Sequence, residues 1–343
     1  MISKKKLVLV VGYDSLDSMT PCRKEAFKLL GYNVIFLDTK DHHYYKYDIK
    51  GIIRRISLRL NLPIDLLNVN RKIKCIVKKH SFDLIWIEKG LDIYPSTIKL
   101  IKKNTKSIVI NYNPDNAWAR SLGWGWYKLC FNLYDYHASP RQETIDLAKK
   151  NFNINIIKYE YSYCEKYHVI DKKKNFIKFN KQFKSDISFF GSWEKDRCEY
   201  INSIDEKYNL GIWGQSWSGK ISSKLNRNEW LRSTDLPILV NSSQINLCFF
   251  NKSNNDLLTD RPFIITAAGG FLLSERTEVI KKYFIEGKEA EFFSSKEEMN
   301  DKINFYMNNN NLRSKIASAG KKKCFSNYTI TNSLRNILNS IYA

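Results

Sequence analysis

Short apolar runs alternate with longer amphipathic segments from the beginning of the chain. KLVLVVGY (6–13) reads as a buried parallel strand, CRKEAFKLLGY (22–32) as a helix ended by Gly31, and NVIFLD (33–38) as the next strand. That is a βαβ unit. The segment 51–80 has helical spacing interrupted at Pro63. DLIWIEKG (83–90) is then a strand, STIKLIKKN (96–104) a helix, SIVINYN (107–113) a strand, and YDYHAS (134–139) a short strand before the helix RQETIDLAKKN (141–151). IIKYEYSY (156–163) is expected to be the last strand of this series.

A Lys-rich stretch of weak periodicity, EKYHVIDKKKNFIKFNKQFKS (165–185), follows and reads as a linker. A second series then starts with the strand DISFFGS (186–192), the helix DRCEYINSIDEKY (196–208) and the strand LGIWG (210–214). SSQINLCFFN (242–251) and FIITAAGGFLLSE (263–275) continue it as strands, with helices at 276–286, 296–308, 311–325 and 330–341. Strands alternating with helices argue for two Rossmann-like α/β halves. The expected division is 1–165, a linker at 166–185, 186–329, and a C-terminal helix at 330–343.

A chain of 343 residues, 43% hydrophobic and 14% aromatic, can build two cores. No run of about 18 apolar residues is present, and the N-terminus passes from a basic cluster straight into a strand, so neither a membrane span nor a cleaved leader is expected. Seven scattered cysteines without a C-x-x-C pair show no zinc or disulfide framework and fit a reducing cytoplasm. The net charge of +21 divides into +13 over residues 1–170 and +8 over the rest. It is spread through the chain without a nucleic-acid-binding module, so no nucleic-acid partner is expected, while peripheral contact with an anionic membrane stays open.

Candidate chemistry gathers where strands end, since ligands of open parallel sheets sit beyond the carboxyl ends of the strands. Asp14 after the first strand, Glu88 and Lys89, and Asn113, Asp115 and Asn116 fall there in the first half. Gly191, Trp193, Gly214 and the Ala268-Gly269-Gly270-Phe271 turn do so in the second. In that turn Ala267 and Ala268 place little side chain before the two glycines, so a ligand could approach the backbone, and a following helix start would favour an anion. A tight packing turn is the alternative. Trp193, Trp213 and Trp217 could stack a ring or fill the core. His42 and His43 point to opposite sides of an extended chain, and no metal site is expected.

The order FFGSWEKDR, LGIWGQSW, DRPFIITAAGGFLLSERTE, FIEGKEAEFF and LRSKIASAGKKKC resembles the CgeB-like glycosyltransferases, relatives of glycosyltransferase family 4 with the two-Rossmann GT-B architecture. The similarity is good over about 186–330 and weaker over 1–165. It implies two domains facing a cleft, with the C-terminal helix crossing back to the first domain, and transfer of a sugar, with retention at the anomeric carbon, from a nucleotide diphosphate donor to a glycan, lipid-linked or protein acceptor. The pathway implied is bacterial surface or spore polysaccharide assembly, or protein glycosylation. No metal or other cofactor is implied. Arg197 and Arg261, with Lys195 behind them, are the expected phosphate contacts; Glu275 joins the donor site. Asp115 and Lys89 are the expected catalytic residues, with Asp14, Asn113 and Asn116 on the acceptor side, and His168 near the hinge in a packing or hydrogen-bonding role. One departure stands out: Ile264 occupies the place of a ribose-binding Glu and its side chain cannot accept hydrogen bonds, so either Asp260 or Glu275 takes over or the donor differs in how its ribose is held. A catalytically inactive nucleotide-binding relic and, further off, a nucleic-acid binder are the competing readings.

Overall fold

The structure, a computed structural model, describes residues 6–15, 18–39, 64–116, 124–170, 183–221 and 231–343, together with Ile49, Ile52, Ile53, Ile56, Ser57 and Leu60. His42, His43, Pro63 and positions 171–182 of the expected linker lie outside the described residues. Two compact units are present, residues 1–160 with 333–343, and residues 161–332.

The first unit contains six parallel strands, β1 (Leu7–Gly12), β2 (Asn33–Asp38), β3 (Leu84–Glu88), β4 (Ile108–Tyr112), β5 (Tyr136–Ser139) and β6 (Ile156–Lys158), in the order β2-β1-β3-β4-β5-β6. Leu9, Val11, Ile85, Ile87 and Val109 form one apolar face, covered by Ile73 and Val77 of α2 (Val69–Lys79) and Ile98 and Ile101 of α3 (Pro95–Asn104). The central strands are almost wholly buried, which is why they read as continuous apolar runs. The other helices of this unit are α1 (Thr20–Leu29), α4 (Trp124–Cys130) and α5 (Gln142–Asn151).

The second unit holds β7 (Ser185–Phe190), β8 (Leu210–Trp213), β9 (Ser243–Cys248), β10 (Leu272–Glu275) and β11 (Glu291–Phe293), again parallel, in the order β11-β10-β9-β7-β8. Counted within each unit, the first five strands follow the same 2-1-3-4-5 order. Both sheets therefore reverse direction once, between β1 and β3 and between β7 and β9. Helices α6 (Lys195–Ile201), α7 (Leu236–Asn241), α8 (Arg261–Ala268), α9 (Lys296–Asn308), α10 (Asn310–Asn327) and α11 (Ile330–Tyr342) complete the chain. Residues 333–343 belong to the first unit, where Lys6 Nζ lies 4.0 Å from the Tyr342 ring, so the last helix does return to that unit.

Two expected elements change. FIITAA is helix α8 and not a strand: seven of its eight residues are buried, and a segment buried all round shows no periodicity that separates helix from strand. Its punctuation is legible, with Pro262 in the first turn and Gly269 in left-handed conformation just past the end. The helix expected at 276–286 is reduced to a single 3-10 turn, Ile280–Lys282.

Candidate functional site

A candidate site of the second unit lies at the reversal between β7 and β9. Gly191 follows β7, Phe249 and Phe250 follow β9, and Glu275 ends β10, so these backbones meet at the carboxyl edge of the sheet. Arg197 enters from the first turn of α6 and Arg261 is the first residue of α8. Arg261 Nη1 donates to the Phe249 carbonyl at 2.8 Å. Arg197 donates through Nη1 to the Ser192 carbonyl, and its Nη2 lies 3.3 Å from Glu194. Its buried Nε has no hydrogen-bond partner among the described residues.

Both guanidiniums sit over the same aromatic ring, Phe189, and this crowding has an electrostatic cost. Burial first, and then the neighbouring Arg261, pull the Arg197 guanidinium down to about 10, so it remains charged at neutral pH. Arg197 and Glu275 also line a shallow, open recess with Glu194, Tyr200, Phe249 and Lys252. Lys252 is held by Asp196 at 2.9 Å. Glu275 Oε2 accepts from the Phe250 N–H at 3.0 Å.

Gly191 and Gly214 do belong to this edge. A Cβ on Gly214 would stand 2.1 Å from the Gly191 carbonyl oxygen, so only glycine lets the loops after β7 and β8 approach this closely. Trp217 Nε1 donates to that same carbonyl at 2.8 Å. Trp213 and Trp217 are fully buried, and the half-buried Trp193 packs against the core with Lys220 Nζ 5.3 Å from its ring. Lys195 is exposed.

The glycine turn is corrected. Gly269 caps the end of α8, and Gly270 and Phe271 lead into the amino end of β10, the opposite end of that strand from Glu275. Ala268 and Phe271 are buried at 2% exposure, and a Cβ on Gly270 would meet Val240 Cγ1 at 2.3 Å. Ala268, Gly269, Gly270 and Phe271 thus serve packing and capping, and no helix start follows them. The helix start that does face the carboxyl edge is that of α8, but Pro262 has no N–H and the Arg261 N–H is bonded to Thr259 Oγ1 at 3.3 Å.

In the first unit the structure brings Lys89, Asn113, Asp115 and Asn116 together after β3 and β4. Lys89 Nζ lies 2.6 Å from Asp115 Oδ2. Asn116 is buried nearby in sequence, while Asp14 stands apart: its N–H donates to Asp38 Oδ1 and its carboxylate lies 3.5 Å from Lys24. Glu88 turns inward and is committed to structure. It pairs with Arg23 and accepts from Trp86 Nε1 at 3.0 Å. Burial opposes the Arg23 charge, but Glu88 and the phenols of Tyr112 and Tyr159 more than offset it and hold this guanidinium well above its usual value. His168 is wholly buried and its Nδ1 accepts from the Cys164 N–H at 3.0 Å, a hydrogen bond within the core.

Sequence reading missed Arg23, Asn111, Tyr127 and Lys252. Nothing in their local pattern separates them from solvated or core residues, because their partners come from distant strands. Asp260, one of two substitutes for a carboxylate at 264, accepts the Ser162 N–H at 2.9 Å, whereas Glu275 shares a recess with Arg197. Among the described residues no group of His, Cys, Asp and Glu could hold a metal ion, and no helix is long and apolar enough to cross a membrane.

Residues 195–339 match the family described as glycosyl transferase-like. No curated protein matches the sequence. HepE from Anabaena in complex with UDP and glucose has 8% identity and a TM-score of 0.67, covering 99% of this chain and 100% of its own. Sucrose-phosphate synthase from Thermosynechococcus elongatus has 7% identity and a TM-score of 0.66, covering 98% and 99%. A glycosyltransferase from Rickettsia africae has 12% identity and a TM-score of 0.62, covering 98% and 97%. These likenesses establish the fold as the GT-B arrangement of two Rossmann-like domains.

Proposed function

We propose that this protein is a glycosyltransferase that binds a nucleotide diphosphate sugar in its second unit and passes the sugar to a hydroxyl-bearing acceptor. The observation that carries the reading is the pair of guanidiniums, Arg197 and Arg261, at the strand reversal of that unit. Two like charges over one ring repel, Glu194 and Glu275 offset this only in part at Arg197, and a diphosphate supplies further counter-charge in a geometry that guanidinium forks match. The glycosyl transferase-like match and the UDP complex of HepE support this choice of ligand.

As the bond between the anomeric carbon and the diphosphate oxygen breaks, negative charge grows on the leaving group, and Arg197 and Arg261 stabilise it. The acceptor oxygen forms the new bond to the anomeric carbon with retention, and Asp115 takes its proton, beside Lys89. No metal or cofactor is invoked beyond the donor. Glu275, on the Arg197 recess, takes the ribose hydroxyls in place of a carboxylate at position 264.

The CgeB-like resemblance makes a glycan, lipid-linked or protein acceptor of a bacterial surface or spore pathway the reading for the acceptor side, with the protein in the cytoplasm. Attachment to an anionic membrane face is supported by Ile49, Ile52, Ile53, Ile56 and Leu60, all exposed, among which the sequence places Lys50, Arg54, Arg55 and Arg59.

Thermal shift against UDP, GDP, ADP and CMP and their sugars tests the function. Stabilisation by one nucleotide, with release of that nucleotide from its sugar, is expected. Stabilisation without any turnover supports the inactive relic, and no response to any nucleotide overturns both.

A further inference from the structure

The two members of the Lys89–Asp115 pair are joined a second time, through the interior. Asn111 Nδ2 donates to the Lys89 carbonyl at 3.1 Å, and Asn111 Oδ1 accepts from the Tyr127 hydroxyl at 2.9 Å. Asn113 Nδ2 donates to that same hydroxyl at 3.0 Å, and Asn113 Oδ1 accepts the Asp115 N–H at 3.0 Å. The ion pair at 2.6 Å closes the circuit. Tyr127 is the only member that comes from a helix, α4, and it touches both asparagines through one oxygen.

The three inner members are buried, with Asn111 at 0%, Tyr127 at 3% and Asn113 at 4% exposure. Buried polar groups are retained only where they are satisfied, and here each asparagine uses one end on Tyr127 and the other on the backbone that carries one member of the pair. Lys89 also needs holding. Its φ of 55° is left-handed, a conformation that a residue with a Cβ adopts only when its surroundings impose it. Burial raises the Tyr127 phenol far above its usual range, so it is protonated and available to donate to Asn111.

We infer that Tyr127 is a positioning residue that sets the separation and orientation of Lys89 and Asp115 through Asn111 and Asn113. The inference rests on the reading of that pair as the acceptor-side machinery. It assigns to a buried phenol of the helix after β4 a role in acceptor activation without contact with the acceptor.

The test reads Lys89 directly by its rate of acetylation with acetic anhydride, measured by mass spectrometry on the full chain. Lys302, paired with Glu291 at 2.6 Å in the other unit, is the internal reference. Asp115→Asn is expected to raise Lys89 labelling several-fold. Tyr127→Phe is expected to raise it by at least half as much on a logarithmic scale, with Lys302 unchanged. The double variant should label no faster than Asp115→Asn alone. Wild-type labelling in Tyr127→Phe, or additive effects in the double variant, overturns the inference. If Tyr127→Phe also raises Lys302 labelling, the fold is disturbed, and Asn113→Ala replaces it with the same expectations. In parallel, nucleotide release from UDP-glucose and GDP-mannose is measured for each variant. Turnover by Asp115→Asn at the wild-type rate sinks the catalytic reading of the pair, whereas the labelling result still decides the role of Tyr127.

Discussion

The guanidinium carbons of Arg197 and Arg261 lie 5.3 and 5.9 Å from one ring centroid, that of Phe189, although the two arginines are far apart in sequence and start different helices. Phe189 belongs to β7, and its ring packs edge-on against Phe249 at 5.4 Å, so the strand reversal itself builds the platform.

Replacing either arginine should separate binding from folding. Arg197→Met keeps most of the buried volume and removes a charge that burial and Arg261 disfavour, while losing the bonds to the Ser192 carbonyl and Glu194, so its melting temperature should change little. Affinity for the nucleotide should fall on the order of 10- to 100-fold, the worth of one or two charge-assisted hydrogen bonds. Calorimetric titration with UDP reads this, and unchanged affinity in both Arg197→Met and Arg261→Met would remove the diphosphate from this site.

The glycine turn carries the opposite expectation. Gly270→Ala drives a methyl group into Val240 and Asn246, both fully buried, and overpacking of this kind costs about 1–3 kcal/mol. Its melting temperature should drop while nucleotide affinity in the folded protein is kept. Loss of binding with stability intact would return the turn to the donor site.

Acid should weaken both units through two histidines. Burial pulls His137 down to about 4 and His168 down to about 3. Their ordinary value is near 6.5, so below that pH the unfolded chain takes up protons that the folded chain refuses. Nothing is lost above pH 6.5; below it each histidine removes about 1.4 kcal/mol per pH unit, until pH reaches its folded value. His168→Asn keeps an acceptor for the Cys164 N–H and should flatten the slope of stability against pH between 6 and 4 by about one proton. An unchanged slope in denaturant titrations contradicts this assignment.

Membrane attachment is checked by sedimentation with vesicles of phosphatidylglycerol and of phosphatidylcholine. Wild-type protein should pellet with the anionic vesicles, and Ile52→Asp with Ile56→Asp should stay in solution. Equal behaviour of the two proteins, or binding that ignores lipid charge, counts against the exposed isoleucines as an attachment surface.

Much of the fold could be read from the chain, because a parallel α/β unit is specified locally. Val8–Val11, Leu84–Ile87 and Ile187–Phe190 are short apolar runs between amphipathic helices, and each repeats the same signal. Local signals fail where a segment is buried on every side, as FIITAA shows. There only Pro262 and Gly269 mark a helix, and reading the segment as a strand moved the expected anion site to the wrong end of β10. The sequence alone thus determined two α/β halves, the residue types that gather at strand ends, and the absence of a carboxylate at Ile264. Tertiary structure alone decided which of those residues meet. Arg197 joins Arg261 across a strand reversal, Glu88 is taken by Arg23, and Lys89 is tied to Asp115 both directly and through Tyr127. The reason is physical: a side chain's charge and hydrogen-bonding capacity are local properties, whereas its partner depends on sheet order, which pairs residues from distant strands.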